Sequence, residues 1–410
     1  MKTIAIIGGG AAGFFAAIRI AETNPELTVC IYEKSANVLG KVRVSGGGRC
    51  NVTHECFDVK ELVKFYPRGE KALIGPFTRF NPKDTILWFE AHGVELKTEA
   101  DGRMFPVTDN SETIIECLTQ AAENAGVKIK TQSGIESFEP IEEGKQGWKL
   151  IFKNQIEIKV DALIISTGSS DVIWNQFKKL GIKITDAAPS LFTFNIKDNR
   201  LYEMAGVSVS PTKINVVQSK LEAAGPLLIT HWGMSGPGIL KLSAWGARVL
   251  QEMNYKFSIR VNWVPDFHED EMFQELSLVK STQPRRSVGN FSPFATIPRR
   301  LWMRFVDAAG IAEEKNWADI TKQEQRKLAI ELTGGLYEVN GKSTNKEEFV
   351  TCGGIDLKEI DFKTMQIKRF SNLYVAGEVI DVDALTGGFN FQNAWTTGWI
   401  AGSAVTEPEL

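Results

Sequence analysis

The sequence has few of the residues that build metal centres or disulfide frameworks. Its 410 residues include only five cysteines and four histidines, with no C-x-x-C pair and no H-E-x-x-H motif. An odd number of widely spaced cysteines is typical of a reduced, cytoplasmic protein. We therefore expect a cytoplasmic location, no disulfide bonds and no metal site.

Long apolar runs and a strong net charge are also missing. The N-terminal apolar run is interrupted by Arg19 and Glu22, which argues against a signal peptide, and no other stretch reaches transmembrane length. The formal net charge is −3, so the chain has no general attraction to nucleic acid or to an anionic membrane. We expect neither as a partner, and the sequence does not indicate an oligomeric state.

Glycine, by contrast, is placed in a meaningful pattern at the start of the chain. A β-branched run, Thr3–Ile7, predicts a strand, and residues 14–22 have the spacing of a helix. Between them Gly8 permits a tight turn, Gly10 lets a pyrophosphate approach the backbone, and Gly13 lets helix and strand pack closely. The helix N-terminus offers free N–H groups to an anion.

An acidic residue completes this pattern. A second predicted strand, residues 28–32, ends at Glu33, which lies twenty positions after Gly13. At this distance a carboxylate accepts hydrogen bonds from the adenosine ribose. The strand, turn, helix and acidic residue together predict a dinucleotide site; the alternative is a glycine-rich turn without a ligand.

A second glycine stretch follows where a nicotinamide-dependent dehydrogenase would continue with further strand–helix units. The segment VSGGGRCN, residues 44–51, places three glycines before Arg49 and Cys50. Glycine tolerates positive φ and leaves the backbone open to close approach. A phosphate, a substrate or a flat cofactor ring would each require such a backbone.

Apolar periodicity predicts the elements that come next. Helical spacing covers residues 82–92 and 112–124. Four short strand-like runs then predict a small β-meander, at residues 127–131, 135–139, 148–152 and 156–160.

Two more glycine-containing turns follow predicted strands. A buried strand in DALIISTG ends at Thr167 and Gly168, and a strand in NLYVAG precedes Gly377 and Glu378. A pair of glycines at 387–388 then opens a C-terminal helix.

Five segments along the chain carry a family resemblance. KVRVSGGGRCNVT, GRMFPVT, THWGMSGPGILKLS, VTCGGIDLKEIDFKTM and LYVAGEVIDVDALTGGFNFQNAW resemble the signatures of the BaiN-like, aminoacetone-oxidase-like family of FAD-dependent oxidoreductases. These are flavoproteins with two dinucleotide-binding domains. The resemblance covers nearly the whole chain in order, and it implies FAD as the cofactor.

The resemblance implies a set of FAD contacts drawn from the glycine-rich turns and their neighbours. They are Gly8, Gly10, Ala11, Ala12, Gly13, Glu33, Lys34, Lys41, Ser45, Gly46, Gly47, Gly48, Arg49, Cys50, Asn51, Ile135, Thr167, Gly168, Gly377, Glu378, Gly387, Gly388, Phe389 and Asn390. Cys50 is either a redox thiol or a small packing residue. Lys41 either reaches the diphosphate or adenine end of FAD or lies solvated in a loop.

The helix that begins after Gly388 has an implied electrostatic role. Its N-terminal N–H groups would face the flavin N1 and C2 carbonyl, where a helix terminus stabilises the charge of the reduced ring by roughly 0.5–2 kcal/mol. Asp381 and Asp383 precede it and either contact the cofactor or serve as caps and turn residues.

One segment departs from the family pattern. After Gly168 the chain reads STGSSDVIWNQFKKLG, whereas family members commonly carry a longer loop with further glycine, serine and proline. Thr167 and Gly168 remain able to contact FAD, but a role of this loop in substrate or nicotinamide access is in doubt.

The expected fold class is α/β, with a Rossmann-like FAD-binding domain, an inserted β-rich domain and a small helical subdomain. The FAD-binding domain would comprise residues 1–190 and 350–410. Alternating strand patterns place a β-rich substrate domain at 191–265 and 335–349, and helical composition places the subdomain at 266–334.

Five arginines cluster within the predicted helical subdomain: Arg285, Arg286, Arg299, Arg300 and Arg304. A solvated helical face is one interpretation of such a cluster, and a site for an anion or a partner is the other.

The expected function is hydride transfer through flavin N5 to or from a small-molecule substrate. The candidate reactions are NAD(P)H-dependent reduction of an activated C=C bond and oxidation of a small amine by O2. Because there is one dinucleotide fingerprint, NAD(P)H would either bind transiently or be absent. The alternatives are a flavoprotein that modifies tRNA and an FAD-binding protein without turnover. Arg103 and His231 are the candidate substrate contacts; catalytic residues are not indicated.

Overall fold

The computed structural model of the protein describes residues 2–141, 147–343 and 350–406. Its strands, in chain order, are β1 Thr3–Ile7, β2 Thr28–Tyr32, β3 Thr53–His54, β4 Leu96–Thr98, β5 Arg103–Pro106, β6 Lys128–Lys130, β7 Ile135–Pro140, β8 Trp148–Phe152, β9 Glu157–Val160, β10 Ala162–Ile165, β11 Ile184–Ser190, β12 Thr193–Ile196, β13 Ser208–Val216, β14 Glu222–Thr230, β15 Gly233–Ser235, β16 Lys256–Asn262, β17 Gly335–Ser343, β18 Val350–Ile355, β19 Ile360–Asp361, β20 Gln366–Ile367 and β21 Leu373–Val375.

The helices are α1 Ala11–Thr23, α2 Gly40–Gly48, α3 Val59–Leu62, α4 Ile74–Arg79, α5 Pro82–Ala91, α6 Ser111–Asn124, α7 Asp171–Lys179, α8 Pro237–Trp245, α9 Ala247–Glu252, α10 Glu269–Thr282, α11 Arg299–Ala308, α12 Lys322–Gly334 and α13 Phe389–Thr406. Short 3-10 helices cover Val63–Phe65, Asn199–Leu201, Trp317–Asp319, Leu357–Glu359 and Gly377–Val379.

The chain divides into two compact units. The first comprises Met1–Ala188 and Lys346–Leu410, and the second comprises Pro189–Asn345. The predicted β-rich range 335–349 lies partly outside the described residues, because its positions 344–349 are not among them.

The first unit is built on a seven-stranded sheet of order β19-β20-β21-β10-β1-β2-β6. β1 pairs in parallel with β2 on one side and with β10 on the other, and β10 pairs in parallel with β21. These strands read as continuous apolar runs, such as IAII in β1, because both faces of a parallel sheet are covered. From β1 the chain first adds β2 and β6 on one side of the sheet and then β10 and β21 on the other. Open α/β sheets bind ligands at the point where the order of strands reverses in this way.

Two helices pack unusually closely in the first unit. α1 is alanine-rich and nearly all of it is buried, and it lies against α13. A Cβ atom at Gly398 would lie 2.4 Å from the Ala12 carbonyl oxygen, and one at Gly402 would lie 2.7 Å from the Ala16 oxygen. These two glycines of α13, four positions apart, therefore let the helix backbones touch and fix the position of the α1 N-terminus.

The predicted four-stranded meander is wrong for its first strand, at residues 127–131. β6 pairs in parallel with β2 at the edge of the main sheet, and only β7, β8 and β9 form an antiparallel sheet. The reason is topological, since α6 carries the chain back across the sheet and makes β6 the third parallel strand of the βαβ series.

The second unit contains a closed barrel of order β12-β15-β14-β13-β16-β17. Strand β13 pairs with β14 along most of its length, and this pairing shifts register between Val209 and Thr212. Pro237 occupies the first turn of α8, where the missing N–H of proline needs no helical partner. Helices α10, α11 and α12 share a single hydrophobic core with the barrel strands.

Within the described residues, no helix is long and apolar enough to cross a membrane.

Candidate flavin-binding site

Four neighbouring parallel strands of the first unit end at one edge of the sheet, and each is followed by a residue of the predicted FAD set. Gly8 follows β1, Glu33 follows β2, Thr167 and Gly168 come after β10, and the Gly377–Val379 turn comes after β21. Because the carboxyl ends of parallel strands lie side by side, these four turns form one continuous rim.

The turn between β1 and α1 has the geometry of a pyrophosphate cradle. Gly8 has φ +113°, and a Cβ atom there would lie 2.5 Å from the Ser166 carbonyl oxygen. A Cβ atom at Gly13 would lie 2.1 Å from the Gly8 oxygen, whereas Gly10 has no atom within 4 Å of its Cβ position. Gly8 and Gly13 are thus required for packing, and Gly10 opens onto free space at the α1 N-terminus, where Ala11 and Ala12 begin the helix.

Glu33 supports this cradle from β2. Its Oε2 accepts a hydrogen bond from the Gly9 N–H at 2.8 Å, and its Oε1 accepts one from the Ser35 N–H at 2.8 Å. A carboxylate has about four acceptor sites, so both oxygens retain capacity for ribose hydroxyls. Lys34 lies against Gly134, next to the buried Ile135 at the start of β7.

The glycine stretch breaks α2 with three left-handed residues. Gly46, Gly47 and Gly48 have φ of +59°, +70° and +85°, which explains the preference for glycine. No atom lies within 4 Å of the Cβ positions of Gly47 and Gly48. The Ser45 carbonyl accepts the Cys50 N–H at 3.0 Å and closes this loop. The backbone is thus bare and uncovered on one side, as a flat ring would require.

Cys50 is placed for packing rather than for redox chemistry. Its side chain is fully buried, with φ +61°. Burial raises the pKa of the Cys50 thiol to about 12, although a hydrogen bond from Ser45 acts in the opposite direction. The thiol is therefore protonated at neutral pH, and the thiolate is the reactive form of cysteine.

Arg49 and Asn51 have their polar groups engaged within the protein. The Arg49 guanidinium lies 4.0 Å from the ring centroid of Phe105 and donates to Glu99 Oε1 at 2.6 Å. With its amide oriented to satisfy its neighbours, Asn51 donates to the Thr53 carbonyl at 3.0 Å and accepts from the Gly388 N–H at 3.0 Å. Asn51 thus links the loop of residues 46–48 to the turn at Gly387 and Gly388.

Lys41 and Glu378 meet across the rim. The Lys41 ammonium forms an ion pair with Glu378 Oε2, and Ser169 Oγ donates to Glu378 Oε1 at 3.4 Å. The Cβ position of Gly168 is 3.7 Å from Glu378 Oε2. Lys41, Gly168 and Glu378 therefore lie close together. They belong to the predicted set and come from α2, the turn after β10 and the turn after β21.

The turn before α13 is held by its own side chains. The Asn390 amide exchanges two hydrogen bonds with the Ala384 backbone, at 2.9 and 3.1 Å. A Cβ atom at Gly388 would lie 2.5 Å from the Thr53 oxygen, and Gly387 has φ +133°. Phe389 is buried and stacks on Phe65, with ring centroids 4.2 Å apart. Asn390 and Phe389 thus shape this turn through packing and local bonds.

Asp381 and Asp383 act as turn residues. Asp381 Oδ1 accepts the Gly353 N–H at 2.9 Å. The carboxylate of Asp383 is fully buried and forms a two-point ion pair with Arg68. Sequence reasoning missed Arg68 because nothing near it in the chain marks it as a partner of this turn.

Two further residues beside the site carry buried polar atoms without a hydrogen-bond partner among the described residues. One is Asn393 Oδ1, one turn inside α13, and the other is His54 Nδ1. The His54 ring stacks on Phe389 with centroids 4.7 Å apart, and burial lowers its pKa. In the sequence, the only signal for these residues was that His54 follows the glycines at 46–48 and Asn393 follows those at 387–388.

The two candidate substrate contacts lie in different units. Arg103 belongs to the first unit, where it pairs with Asp101 Oδ2 at 2.7 Å and with Glu99 Oε2 at 2.9 Å. His231 is exposed in the turn between β14 and β15 of the second unit. Within the described residues, no group of His, Cys, Asp or Glu side chains is placed to hold a metal ion.

These features fit an extended FAD molecule. The uncovered N-terminus of α1 suits the pyrophosphate, Glu33 suits the ribose, and the bare backbone at Gly47 and Gly48 suits the ring. The unpartnered Asn393 Oδ1 is a buried acceptor that such a ligand would satisfy.

Residues 2–404 match the family described as HI0933-like protein Rossmann domain. The chain belongs to this family. It is 26% identical over 411 residues, 98% of each chain, to the ribosomal RNA dihydrouridine synthase of Haemophilus influenzae. It is also 26% identical over 425 residues to the 3-dehydro-bile acid delta(4,6)-reductase of Clostridium scindens, with 99% of this chain and 100% of the relative covered.

Solved structures show the same fold. A 3-ketosteroid delta1-dehydrogenase from Sterolibacterium denitrificans is similar with a TM-score of 0.53 at 11% identity, over 99% of this chain and 100% of that one. The predicted family and the α/β fold class with a Rossmann-like FAD-binding domain are thus confirmed. The chain thus belongs to a family of FAD-dependent oxidoreductases.

Proposed function

We propose that this member of the HI0933-like family reduces a C=C bond conjugated to a carbonyl group, with NAD(P)H as the electron donor. The observation that carries the proposal is a reaction shared by the two relatives. Dihydrouridine is uridine with its ring C=C bond saturated next to a carbonyl, and a 3-dehydro-bile acid delta(4,6)-reductase acts on C=C bonds conjugated to a 3-ketone.

Bound FAD supplies hydride transfer through its N5 atom. The chain would supply placement: the N–H groups of the α1 N-terminus would hold the pyrophosphate, and Glu33 would accept from the ribose. The bare backbone of residues 46–48 would leave room for the ring. The α13 N-terminus, held by Asn51 and Asn390, would offer its positive dipole end to the charge of the reduced ring.

Lys41 and Glu378 neutralise one another at this rim. Their pairing limits the excess charge that these two side chains would place beside the cofactor. The chain carries one dinucleotide fingerprint, at Gly8 to Gly13. NAD(P)H, as the donor of this proposal, would therefore bind and leave in each reductive half-reaction.

The test is a two-stage anaerobic titration of the FAD-loaded protein. In the first stage NADH or NADPH is added, and we expect the visible absorbance of the oxidised flavin to bleach. In the second stage the bleached protein receives either a steroid dienone or a uridine-containing RNA. Recovery of the yellow colour with one of them, together with the saturated product by mass spectrometry, supports the proposal.

Other outcomes overturn it. A flavin that NAD(P)H does not bleach removes the nicotinamide donor from the reaction. A bleached flavin that only O2 reoxidises identifies an oxidase instead. A protein that fails to retain FAD contradicts the site itself.

A further inference from the structure

A long segment of the second unit is basic and contains no acidic residue. Between positions 276 and 306 the chain carries six Lys or Arg residues and no Asp or Glu. The whole chain has a net charge of −3, so positive charge is concentrated in this segment. The net charge led us to expect no nucleic-acid partner, and the distribution of charge leads to a different proposal.

The segment exposes its arginines because α11 is amphipathic. Leu301, Trp302 and Phe305 are buried in the core of the second unit. Arg299 and Arg300 are exposed on the opposite face, and Arg304 is half-buried beside them. The helix therefore presents a row of guanidinium groups to solvent.

These arginines are not neutralised by carboxylates. Arg299 donates to the Asn290 side chain, Arg300 donates to the Glu203 carbonyl, and Arg304 donates to the Tyr202 carbonyl at 3.2 Å. Among the described residues none of the three forms an ion pair.

Other arginines of the same unit do form ion pairs. Arg200 pairs with Asp198 and Glu331, and Arg326 pairs with Asp270 at 2.6 Å. Carboxylate partners are therefore available to some arginines of this unit, but not to the three on the α11 face.

An exposed tyrosine lies next to these arginines, because its backbone carbonyl accepts a hydrogen bond from Arg304. The Tyr202 side chain is 67% exposed, and its own carbonyl and that of the next residue accept from Arg304 and Arg300. Large exposed aromatics next to unpaired guanidinium groups are typical of surfaces that bind single-stranded nucleic acid. The ring stacks on a base while the cations contact phosphates.

A cleft in the same unit continues this surface. It has a volume of about 1150 Å³ and is lined by Arg304 together with Lys197, Lys213 and Arg260. Four acidic residues also line it, Asp198, Glu269, Asp307 and Glu331, but Arg304 forms no ion pair with any of them in the described structure. Arg304 thus connects the α11 face with a cleft of mixed charge.

We infer that the α11 face, defined as Tyr202, Arg299, Arg300 and Arg304, binds single-stranded RNA. The inference rests on the proposed function, since uracil carries the conjugated C=C bond, and it selects RNA over a free steroid-like substrate. A protein partner is the less favoured occupant, because a row of point charges around a stacking ring matches a phosphate backbone.

The experiment measures binding of a fluorescent, mixed-sequence single-stranded RNA to the FAD-loaded protein at several salt concentrations. We expect Arg299→Gln/Arg300→Gln to lower the salt slope by about 1.4, because each phosphate contact in a single strand contributes about 0.7. Tyr202→Ala should weaken binding by about 5- to 100-fold, as the loss of one stacked base does.

The matched control is Arg326→Gln/Lys327→Gln on α12, which removes the same charge from the same unit. It should leave the RNA affinity within about twofold of the parent. All variants should keep the bound flavin and its bleaching by NAD(P)H, because the α11 face contributes nothing to the FAD site described above.

The possible failures are distinguishable. The inference is wrong if the control weakens RNA binding as much as the α11 variants do, or if the parent binds no RNA. In either case, reduction of the flavin and of a steroid dienone would still support the proposed function. Binding of polyglutamate but not RNA would assign the face to an acidic protein. Loss of flavin bleaching in the parent would instead overturn the proposed function.

Discussion

Arg68 and Asp383 form a two-point ion pair although 315 positions separate them, and the Asp383 carboxylate is completely buried. The pair fastens the turn that leads into α13 to the 3-10 region before α4. Its position makes it a support for the α13 N-terminus rather than a contact to the cofactor.

Arg68→Met should lower the free energy of unfolding by about 3–5 kcal/mol, because it leaves a buried carboxylate without its cation. Denaturant unfolding of the FAD-loaded protein measures the change. The control Lys64→Met removes an exposed pair with Glu61 and should cost less than about 1 kcal/mol. Equal losses in the two variants would show that the buried pair has no special role.

Gly10→Ala separates cofactor binding from folding. Gly10 has φ −97° and no atom within 4 Å of its Cβ position, so the FAD-free protein should keep its melting temperature. The new methyl group would occupy space that a pyrophosphate needs, and FAD affinity should fall by about 1–3 kcal/mol, the usual cost of overpacking.

Gly75→Ala is the control for this variant. Gly75 also has an empty Cβ position, but it lies exposed in α4. Fluorescence titration with FAD should give the parent affinity for Gly75→Ala. Unchanged affinity in Gly10→Ala as well would place the pyrophosphate elsewhere.

The FAD turns were visible in the sequence because their signals are local. Gly8, Gly10 and Gly13 lie within six residues, and Glu33 follows at the end of the next strand. Contacts such as Asn51 with Gly388 join distant segments, and a single sequence has no periodicity that marks them.

The same limit explains the wrong strand assignment. β6 is an edge strand with one half-buried residue between two exposed ones, a pattern that a meander strand also has. Only the pairing of β6 with β2 tells the two apart. Periodicity predicts that a strand exists, and the tertiary contacts decide which sheet it joins.

Cys50 should be unreactive across neutral pH. Burial raises its pKa to about 12, so a maleimide should modify the half-buried Cys56 before Cys50 in the native protein. Cys50→Ala should keep NAD(P)H-dependent bleaching of the flavin. Loss of bleaching with FAD still bound would reinstate a redox thiol.

The raised pKa of Cys50 also has a consequence for stability. The native state keeps the thiol protonated, while the unfolded state releases the proton above the ordinary value of 9.0. The contribution is therefore complete below pH 9 and is lost as pH rises towards 12, with a slope of up to about 1.4 kcal/mol per pH unit. Cys50→Ala should flatten the decline in unfolding free energy that the parent shows just above pH 9.

Asn393→Leu should act in opposite directions on the FAD-free and FAD-loaded protein. Without a ligand the buried Oδ1 of Asn393 has no partner among the described residues, and such an atom costs about 1–3 kcal/mol. Leucine removes that cost, so the FAD-free protein should melt at a higher temperature. If bound FAD donates to this oxygen, the same change should weaken FAD binding by a comparable amount.

The control for Asn393→Leu is Gln392→Leu in the same helix. Gln392 Oε1 accepts from Thr53 and Thr85 at 2.6 and 2.9 Å, so its loss should destabilise the protein with and without FAD. Calorimetry of each variant with and without FAD gives the four melting temperatures. Parallel changes in the two forms of Asn393→Leu would show that its side chain serves folding alone; opposite changes would place Asn393 against the cofactor.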